Sequence, residues 1–259
     1  DRLAFKVKRG AQRGKQFVTR ATESGVYETF RLDYDYMEVY SHTIAGAGII
    51  DFERYLDGLE DIAEIYEIIL DGMMTQIFRE IQGCLADQWN NTGRPANNKV
   101  SANTFDYQKM AQLVQVVSAY GAPVIYCSQL FAAQMVNVIN TPAGLKVSDK
   151  EIDEIRENGY IGKFAGAPVV VIPNSFEDEM NDKLVFDPRF AYVIPAGKEK
   201  LVKVALVGQT IIDEWKNTDR SMEIQGYKKI GVGIVSAPNY WGIYYNSGID
   251  AWGHDEIQA

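Results

Sequence analysis

One apolar stripe in the first half of the chain constrains the fold more than any other sequence feature. Apolar residues recur every three or four positions from Ile62 to Leu85, which predicts one face of an α-helix. We expect this helix to occupy residues 59–86, with Asp57 as its N-cap and Glu60 and Asp61 in its first turn. Its length of about 42 Å, far above that of an average helix, suits an extended spine better than a compact core. The members of the stripe are Ile62, Ile65, Tyr66, Ile69, Met73, Ile77, Ile81 and Leu85.

A β-hairpin is predicted before this helix. Residues 15–22 are strand-like, residues 23–25 (Glu-Ser-Gly) are a turn signal, and residues 26–40 return as a second strand. In the return strand apolar and aromatic residues, including Tyr34 and Tyr36, alternate with polar ones, so one face packs and the other meets water. Because a two-stranded ribbon is marginally stable alone, it must lie on its own body or on another subunit.

The charge of the chain is unevenly distributed. Residues 1–20 contain seven Lys/Arg against one acid, a net charge of +6, so the rest of the −9 chain carries −15. Such a basic arm is expected to attract the acidic surface of a neighbouring copy, and a solvated segment and a nucleic-acid arm are the alternatives. The acidic body argues against a protein that wraps nucleic acid as a whole. The candidates for contacts between subunits are Lys6, Lys8, Arg9, Arg13, Lys15, Arg20, Tyr34 and Tyr36.

The other segments predict an α+β layout with an antiparallel sheet late in the chain. Residues 45–48 (Ala-Gly-Ala-Gly) are expected to break the first strand region, and Asp51 to cap a short helix ending at Tyr55. Later helices are expected at residues 104–120, capped by Asn103 or Thr104, at 128–138, with Leu130, Met135 and Val138 on the apolar side, and at 148–159. A loop is expected at 89–101, and strands at 123–127, 169–172, 190–195, 201–207, 208–215, 223–235 and 240–245.

The sequence contains no set of residues that indicates catalysis or metal binding. The two histidines, His42 and His254, lack neighbours at metal-ligand spacing, and there is no Gly-x-Ser-x-Gly motif. A glycine-rich segment at residues 10–16 lacks the spacing and the hydroxyl residue of a phosphate-binding loop. Cys84 and Cys127 are expected to be reduced, buried or half-buried thiols. We therefore predict no catalytic residues, no cofactor and no metal, and no run of apolar residues is long enough to span a membrane.

A resemblance rests on the order of seven segments: residues 25–40, 49–58, 59–85, 158–174, 192–197, 208–210 and 231–235. This order resembles the major capsid proteins of tailed bacteriophages, which share the Hong Kong 97 fold. The resemblance implies an extended loop that lies over the adjacent subunit, a peripheral domain around a spine helix, and an axial domain that meets its copies at five-fold and six-fold axes. The implied bounds are 1–48 for the N-terminal arm remnant and extended loop, 49–100 with 208–235 for the peripheral domain and its spine helix 59–86, 101–207 with 236–247 for the axial domain, and 248–259 for a C-terminal tail.

The implied function is that of a major capsid protein rather than an enzyme. Such a protein self-assembles into pentamers and hexamers of an icosahedral head, and the head encloses double-stranded DNA without reading its sequence. The resemblance places it in the virion, assembled in the host cytoplasm, with portal, scaffold and decoration proteins as candidate further partners. An encapsulin-like nanocompartment shell and a soluble α/β enzyme of unknown class are the alternatives.

Overall fold

The computed structural model describes residues 2–8, 34–59, 61–139, 155, 157, 159–177, 179–197, 200–218 and 221–254. The strands are β1 (Arg2–Lys8), β2 (Tyr34–Tyr40), β3 (His42–Ile50), β4 (Lys99–Ala102), β5 (Ala122–Cys127), β6 (Lys163–Phe164), β7 (Ala167–Val171), β8 (Phe190–Ala196), β9 (Val202–Lys216), β10 (Met222–Ile234) and β11 (Gly242–Asn246). The helices are α1 (Phe52–Leu56), α2 (Ile62–Asp87), α3 (Tyr107–Ser118) and α4 (Gln129–Ile139), with short 3₁₀ turns at Gln88–Asn90 and Ala96–Asn98.

The chain divides into two compact units. Unit 1 takes in Asp1–Lys6, Tyr36–Leu85 and Val202–Val235, and unit 2 takes in the remainder, so the chain passes from one to the other several times. Within the described ranges, none of the helices has both the length and the hydropathy required to cross a bilayer. The predicted strand at 15–22, its turn at 23–25 and residues 148–154 of the helix predicted at 148–159 lie outside the described residues.

Unit 1 is a three-stranded antiparallel sheet of order β3-β10-β9 packed against the long helix α2. All eight members of the predicted apolar stripe on α2 are buried or half-buried, which confirms the helix and its packing face. Met73 of α2 forms a small core with Ile44 of β3 and Ile230 of β10, and Ile69 and Ile77 pack against it.

The predicted N-cap of the long helix is wrong by one turn. Asp57 is the C-cap of α1, and the chain then reverses through Gly58 at a φ of +72°. The helix starts only after Asp61, whose carboxylate accepts a hydrogen bond from the backbone N–H of Ala63 at 3.0 Å. Asp57 and Asp61 both precede apolar residues, so the sequence allows either as the N-cap. The turn at Gly58 ends α1 after Asp57 and leaves Asp61 as the residue that caps α2.

Residues 45–48 do not break the strand as predicted, since they form the middle of β3. A β-carbon on Gly46 would lie 3.1 Å from the Cγ2 of Ile69, and one on Gly48 would lie 2.7 Å from the Cγ2 of Ile65. The glycines therefore allow α2 to approach the sheet closely, which is a common reason for glycine inside a strand.

The two strands predicted at 201–207 and 208–215 form one strand, β9, with an irregularity at their junction. Gly208 has a φ of +75°, and the pairing with β10 shifts register between Tyr227 and Lys229. A glycine in the left-handed region is the usual device for a β-bulge, which keeps the ladder continuous while adding residues to one strand.

Unit 2 is built on a mixed six-stranded sheet of order β4-β11-β8-β5-β7-β6, and α3 and α4 pack against it. Its core contains Met110, Leu113 and Phe131, all with no exposed surface. The strands predicted at 123–127, 190–195 and 240–245 are confirmed, whereas the loop predicted at 89–101 instead ends in the edge strand β4.

Two details of the predicted helices in unit 2 are wrong. The N-cap of α3 is Asp106 rather than Asn103 or Thr104, because its carboxylate accepts hydrogen bonds from the N–H groups of Gln108 and Lys109 at 2.9 and 3.3 Å. Leu130 is 43% exposed rather than on the apolar face of α4, where Phe131 is buried, whereas Met135 is buried as predicted. The buried residues Phe131, Ala132 and Met135 follow the three- and four-residue spacing of one helix face, and Leu130 falls outside that face.

Candidate functional site

The polar chemistry of the described residues points to structural roles. His42 contacts Glu80 at 2.7 Å across β3 and α2 in unit 1, whereas His254 lies in a turn of unit 2. No group of three or more His, Cys, Asp or Glu side chains in the described part of the chain is arranged to hold a metal. Cys84 and Cys127 form no disulfide, and burial raises the pKa of the Cys127 thiol to about 12, so this thiol is not a nucleophile near neutral pH.

A buried arginine in unit 2 holds two segments of the chain together. The guanidinium of Arg94 stacks 4.0 Å from the ring of Trp241 and donates to the carbonyl oxygens of Trp241, Pro238 and Gln88 at 2.9, 3.2 and 3.3 Å. The amide of Asn98 donates to the same Trp241 carbonyl at 3.0 Å. Burial lowers the pKa of Arg94 to about 10, which still leaves it charged. Sequence reasoning missed this clamp because both ends lie in segments without periodicity.

The predicted contact residues fall into two groups. Lys6 and Lys8 belong to β1, and Tyr34 and Tyr36 belong to β2, the strand with which β1 pairs. The other four, Arg9, Arg13, Lys15 and Arg20, lie outside the described residues. The strand at Arg2–Lys8 was not predicted, and contacts between copies at all eight positions stay a prediction.

The described part of the hairpin packs on the sheet of its own unit. Val39 of β2 is 4% exposed, and β-carbons built on Gly231 and Gly233 of β10 would lie 3.1 and 2.5 Å from its methyl groups. The ammonium of Lys203 lies 5.2 Å from the ring of Phe5 in β1. The base of the hairpin therefore covers one end of the sheet face that points away from α2.

The other end of that sheet face is apolar and uncovered in the described structure. The strand register places Ile49 beside Glu223 and Trp215, and Tyr227 beside Ile211. The exposed fractions are 61% for Ile49, 59% for Trp215, 43% for Ile211 and 38% for Tyr227. Large apolar side chains grouped in this way mark an interaction surface more often than a solvent face.

The outer surface of α2 carries a second apolar row. Leu70, Met74 and Phe78 follow one another at four-residue intervals, and they are 46%, 50% and 57% exposed. This outer row, Leu70–Met74–Phe78, lies next to the buried stripe because residues four apart share one side of a helix. The four-residue spacing of this row is visible in the sequence, but the longer apolar stripe accounted for the helix and the row was not predicted.

Acidic side chains occupy the N-terminal half of the same outer surface. Asp61, Glu64, Glu67 and Asp71 are all exposed, and α2 contains no lysine or arginine before Arg79. Their spacing of three and four residues forms one ridge, the acidic ridge, which faces away from the sheet. Tyr66, on the side of α2 toward β9, donates a hydrogen bond to Glu214, and this bond raises the tyrosine pKa.

A groove runs between the outer edge of β3 and α2. Its volume is about 550 Å³, and it is lined on one side by His42–Ala47 of β3 and on the other by residues of α2 that include Ile68, Gly72 and Gln76. Ile68 is 63% exposed, and a β-carbon built on Gly72 would meet no atom within 4 Å. The groove thus has an apolar and open floor next to a strand edge.

Comparison with known proteins gives one family and one fold. The sequence model of the family described as SPbeta prophage-derived putative capsid protein YonB matches residues 4–239. No curated protein matches the chain in sequence. The capsid of the Cyanophage P-SCSP1u is similar in structure, with a TM-score of 0.60 and 11% identity over 95% of this chain and 83% of that chain.

Two further structures extend the comparison. The capsid of Helicobacter pylori bacteriophage KHP30 gives a TM-score of 0.58 at 11% identity, over 95% of this chain and 84% of that chain. The SrpI encapsulin complex from Synechococcus elongatus PCC 7942 gives 0.57 at 11% identity, over 99% and 85%. At identities this low the similarity concerns the fold alone. The structural matches confirm the α+β, Hong Kong 97-like fold that the sequence predicts.

Proposed function

Because this chain belongs to the family of the SPbeta prophage-derived putative capsid protein YonB, we propose that it is the major head protein of a tailed bacteriophage. It is a structural shell protein, and in this proposal its copies form the pentamers and hexamers of an icosahedral head around double-stranded DNA. The virion is its final location, assembly takes place in the host cytoplasm, and portal, scaffold and decoration proteins join it there.

The observation that carries this proposal is the uncovered apolar surface of unit 1. Leu70, Met74 and Phe78 on the helix side, and Trp215 and Ile211 on the sheet side, are all more than 40% exposed. Within the described residues of a single copy both faces are exposed, whereas neighbouring copies in a lattice would bury them. We propose that the outer row Leu70–Met74–Phe78 is buried between copies.

The chain contains two capsid domains in this proposal, and their bounds differ from those of the compact units, since unit 1 also takes in residues 36–48 and 202–207 and unit 2 takes in residues 86–100. The region at 49–100 with 208–235, around α2 as the spine, is the peripheral domain, and 101–207 with 236–247 is the axial domain that meets its copies at the symmetry axes. Residues 1–48 supply the arm and the extended loop. The long α2, which packs one face on a three-stranded sheet, supports this division.

The basic segment provides the second attraction. Arg9, Arg13 and Lys15 lie in a region of the sequence that carries a net charge of +6, and the rest of the chain carries −15. In this proposal the acidic ridge on α2 of a neighbouring copy is the oppositely charged surface that the basic segment contacts. Complementary charge of this kind speeds association and fixes orientation more than it adds affinity.

Charge reversal tests the proposal. We expect Arg9→Glu, Arg13→Glu and Lys15→Glu together to leave the subunit folded, by circular dichroism, and to abolish regular particles in electron micrographs. The matched control, Arg9→Lys, Arg13→Lys and Lys15→Arg, keeps the charge and should form particles as the parent does. Normal heads from the charge-reversed protein would contradict the role of the basic segment.

Purified particles separate the alternatives. A megadalton peak in size-exclusion chromatography supports a shell, whereas a discrete 29.1 kDa monomer supports a soluble enzyme. Similarity to the SrpI encapsulin favours a nanocompartment as the second candidate. Nuclease-treated particles that release double-stranded DNA on opening support the phage head, and particles that release a cargo protein instead support the nanocompartment.

A further inference from the structure

Four large side chains in one part of unit 2 are buried with polar atoms that have no hydrogen-bond partner among the described residues. These atoms are Nε1 of Trp89, Nε1 of Trp241, Nη2 of Arg94 and the hydroxyl oxygen of Tyr192. None of the four residues is more than 7% exposed. Buried polar atoms in proteins are almost always paired, so a group of unpaired ones indicates a bound water molecule or ion.

The four side chains belong to one layer of contacting rings. The ring of Trp241 lies 4.0 Å from the guanidinium carbon of Arg94 and 6.2 Å from the ring of Tyr192. Phe190 continues the layer, because its ring lies 5.9 Å from that of Tyr192 and 6.1 Å from that of Trp89. The unpaired atoms are therefore gathered in one buried place, which we call the aromatic layer.

The positive charge of Arg94 is not matched by an acid in the described part of the chain. Its Nε and Nη1 atoms donate to backbone carbonyls, and no carboxylate there lies within ion-pair distance of it. Burial and then the charge of Asp187 raise the pKa of Tyr192, which places Asp187 near the layer. Both oxygens of that carboxylate, however, accept hydrogen bonds from the side chain of Arg189, at 2.7 to 3.2 Å. Asp187 is thus already neutralised, and Arg94 is left without a counter-charge.

An anion satisfies the unpaired atoms better than water does. Indole and guanidinium N–H groups can only donate, so three of the four atoms require an acceptor, and only the hydroxyl of Tyr192 can itself accept. A water molecule that accepted from two of these donors would still have two O–H groups to place. An anion accepts only, and it also offsets the buried charge of Arg94. Lys99, whose ammonium lies 4.2 Å from the ring of Trp89, adds a second positive charge beside the layer.

We propose that unit 2 binds a small inorganic monoanion of the chloride type at the aromatic layer. In this site Nη2 of Arg94, Nε1 of Trp241 and the hydroxyl of Tyr192 donate hydrogen bonds to the ion. One uncompensated buried charge favours a monoanion, and burial of the whole layer favours a small ion over an organic acid or a phosphate ester. The site belongs to the folded subunit and does not depend on the proposed shell function.

Thermal unfolding of the unassembled subunit measures this binding. Protein refolded in sodium gluconate is titrated with sodium chloride at constant ionic strength, and the melting temperature is recorded. An anion bound by the folded state alone stabilises that state. Each tenfold rise in chloride above its dissociation constant should therefore multiply the folding equilibrium constant by about ten and raise the melting temperature by about 3–5 °C.

Variants separate this binding from the general effect of salt. Trp241→Phe and Tyr192→Phe each remove one donor and keep a ring in place, and each should weaken chloride binding at least about tenfold. Arg94→Met removes the charge and should abolish the chloride dependence. Trp252→Phe is the matched control, because Trp252 is 36% exposed and its ring contacts Phe176 instead of the layer. It should respond to chloride as the parent does. If Arg94→Met does not fold, the two phenylalanine variants of the layer decide.

Bromide locates the ion directly. Crystals of the unassembled subunit grown in sodium bromide should give an anomalous-scattering peak beside Nη2 of Arg94. A chloride response that is reduced in Trp241→Phe and Tyr192→Phe and kept in Trp252→Phe supports the site, whether or not particles form. An equal response in all variants, or a water molecule without anomalous signal at that position, overturns it. A bromide peak in a protein whose stability ignores chloride marks an adventitious ion only and overturns it as well.

Discussion

Replacing the outer row of α2 with polar residues should separate assembly from folding. The variant Leu70→Gln, Met74→Gln and Phe78→Gln keeps good helix formers at all three positions and removes the apolar surface. These side chains are 46%, 50% and 57% exposed in the single subunit. About half of each side chain is therefore available to be buried by a neighbouring copy.

The exposed fractions set the size of the effect. Complete burial of a side chain of this kind contributes about 2 kcal/mol, so burying the exposed half contributes about 1 kcal/mol. The three substitutions together should cost about 3 kcal/mol per contact, which corresponds to a contact weaker by more than about 100-fold. The free energy of unfolding of the isolated subunit should change by less than about 1 kcal/mol, because the buried stripe of α2 is untouched.

The assay is the protein concentration at which particles appear, followed by light scattering and checked by electron microscopy. Thermal unfolding of the unassembled subunits measures the stability of the same proteins. The matched control is Leu70→Met, Met74→Leu and Phe78→Leu, which preserves the apolar area and should assemble near the parental concentration. If the glutamine variant assembles at the parental concentration, the outer row is not a contact and the reasoning fails.

Three smaller predictions concern the subunit itself. Gly248→Ala should destabilise the subunit by at least about 2 kcal/mol in thermal unfolding, because its β-carbon would lie 1.9 Å from the backbone oxygen of Asn103. Gly72→Ala should stabilise the subunit by up to about 1 kcal/mol in the same assay, because the position is open and alanine favours the helix. Cys127, with its pKa raised to about 12, stays protonated at pH 8, so mass spectrometry should find it unmodified by iodoacetamide until the protein unfolds. Unchanged stability of Gly248→Ala, or modification of Cys127 in the folded protein, would contradict the packing described for unit 2, and a less stable Gly72→Ala would contradict the open position on α2.

Long periodic segments were predicted well because their signal is local. The stripe from Ile62 to Leu85 depends only on helix geometry, and the structure has the helix at Ile62–Asp87. The strand predicted at 190–195 was equally clear, since its apolar residues are buried in the middle of the unit 2 sheet. In such segments the residues that are apolar in the sequence are the ones that are buried in the fold, so the pattern alone predicts the packing face.

Glycine was misread where its role depends on a distant element. Residues 45–48 resemble a break in the strand, yet they lie within β3. Gly46 and Gly48 are glycines because Ile69 and Ile65 of α2 leave no room for larger side chains there. Nothing within a short window identifies that helix as the partner. The same limit applies to Arg94, which is fixed by a segment more than 140 positions away in the sequence.

The sequence indicated the charged hairpin as a candidate contact surface, but not the exposed apolar surfaces of unit 1. Sequence reasoning located the basic residues and the tyrosines of the hairpin, because net charge and alternation are visible in one dimension. It did not locate the outer row of α2, the bare sheet face around Trp215 or the groove beside β3. Those surfaces form only when the helix packs on the three strands, because that packing buries some apolar side chains and leaves others exposed.

The unequal edges of the unit 1 sheet bear on how a shell closes. If β3 and β9 were both open, the β3 edge of one copy could pair with the β9 edge of the next, and this head-to-tail pairing would have no built-in end. Such a contact generates open fibres unless its rotation happens to close a ring. The bulge at Gly208 and the charges of β9 oppose that pairing. With the β9 edge protected, the open edge of one copy has no free sheet edge of the next copy to pair with, so growth by pairing between sheets is opposed. In the proposed shell the contacts between copies then fall to exposed side chains, such as those of the outer row of α2 and Trp215 on the sheet face.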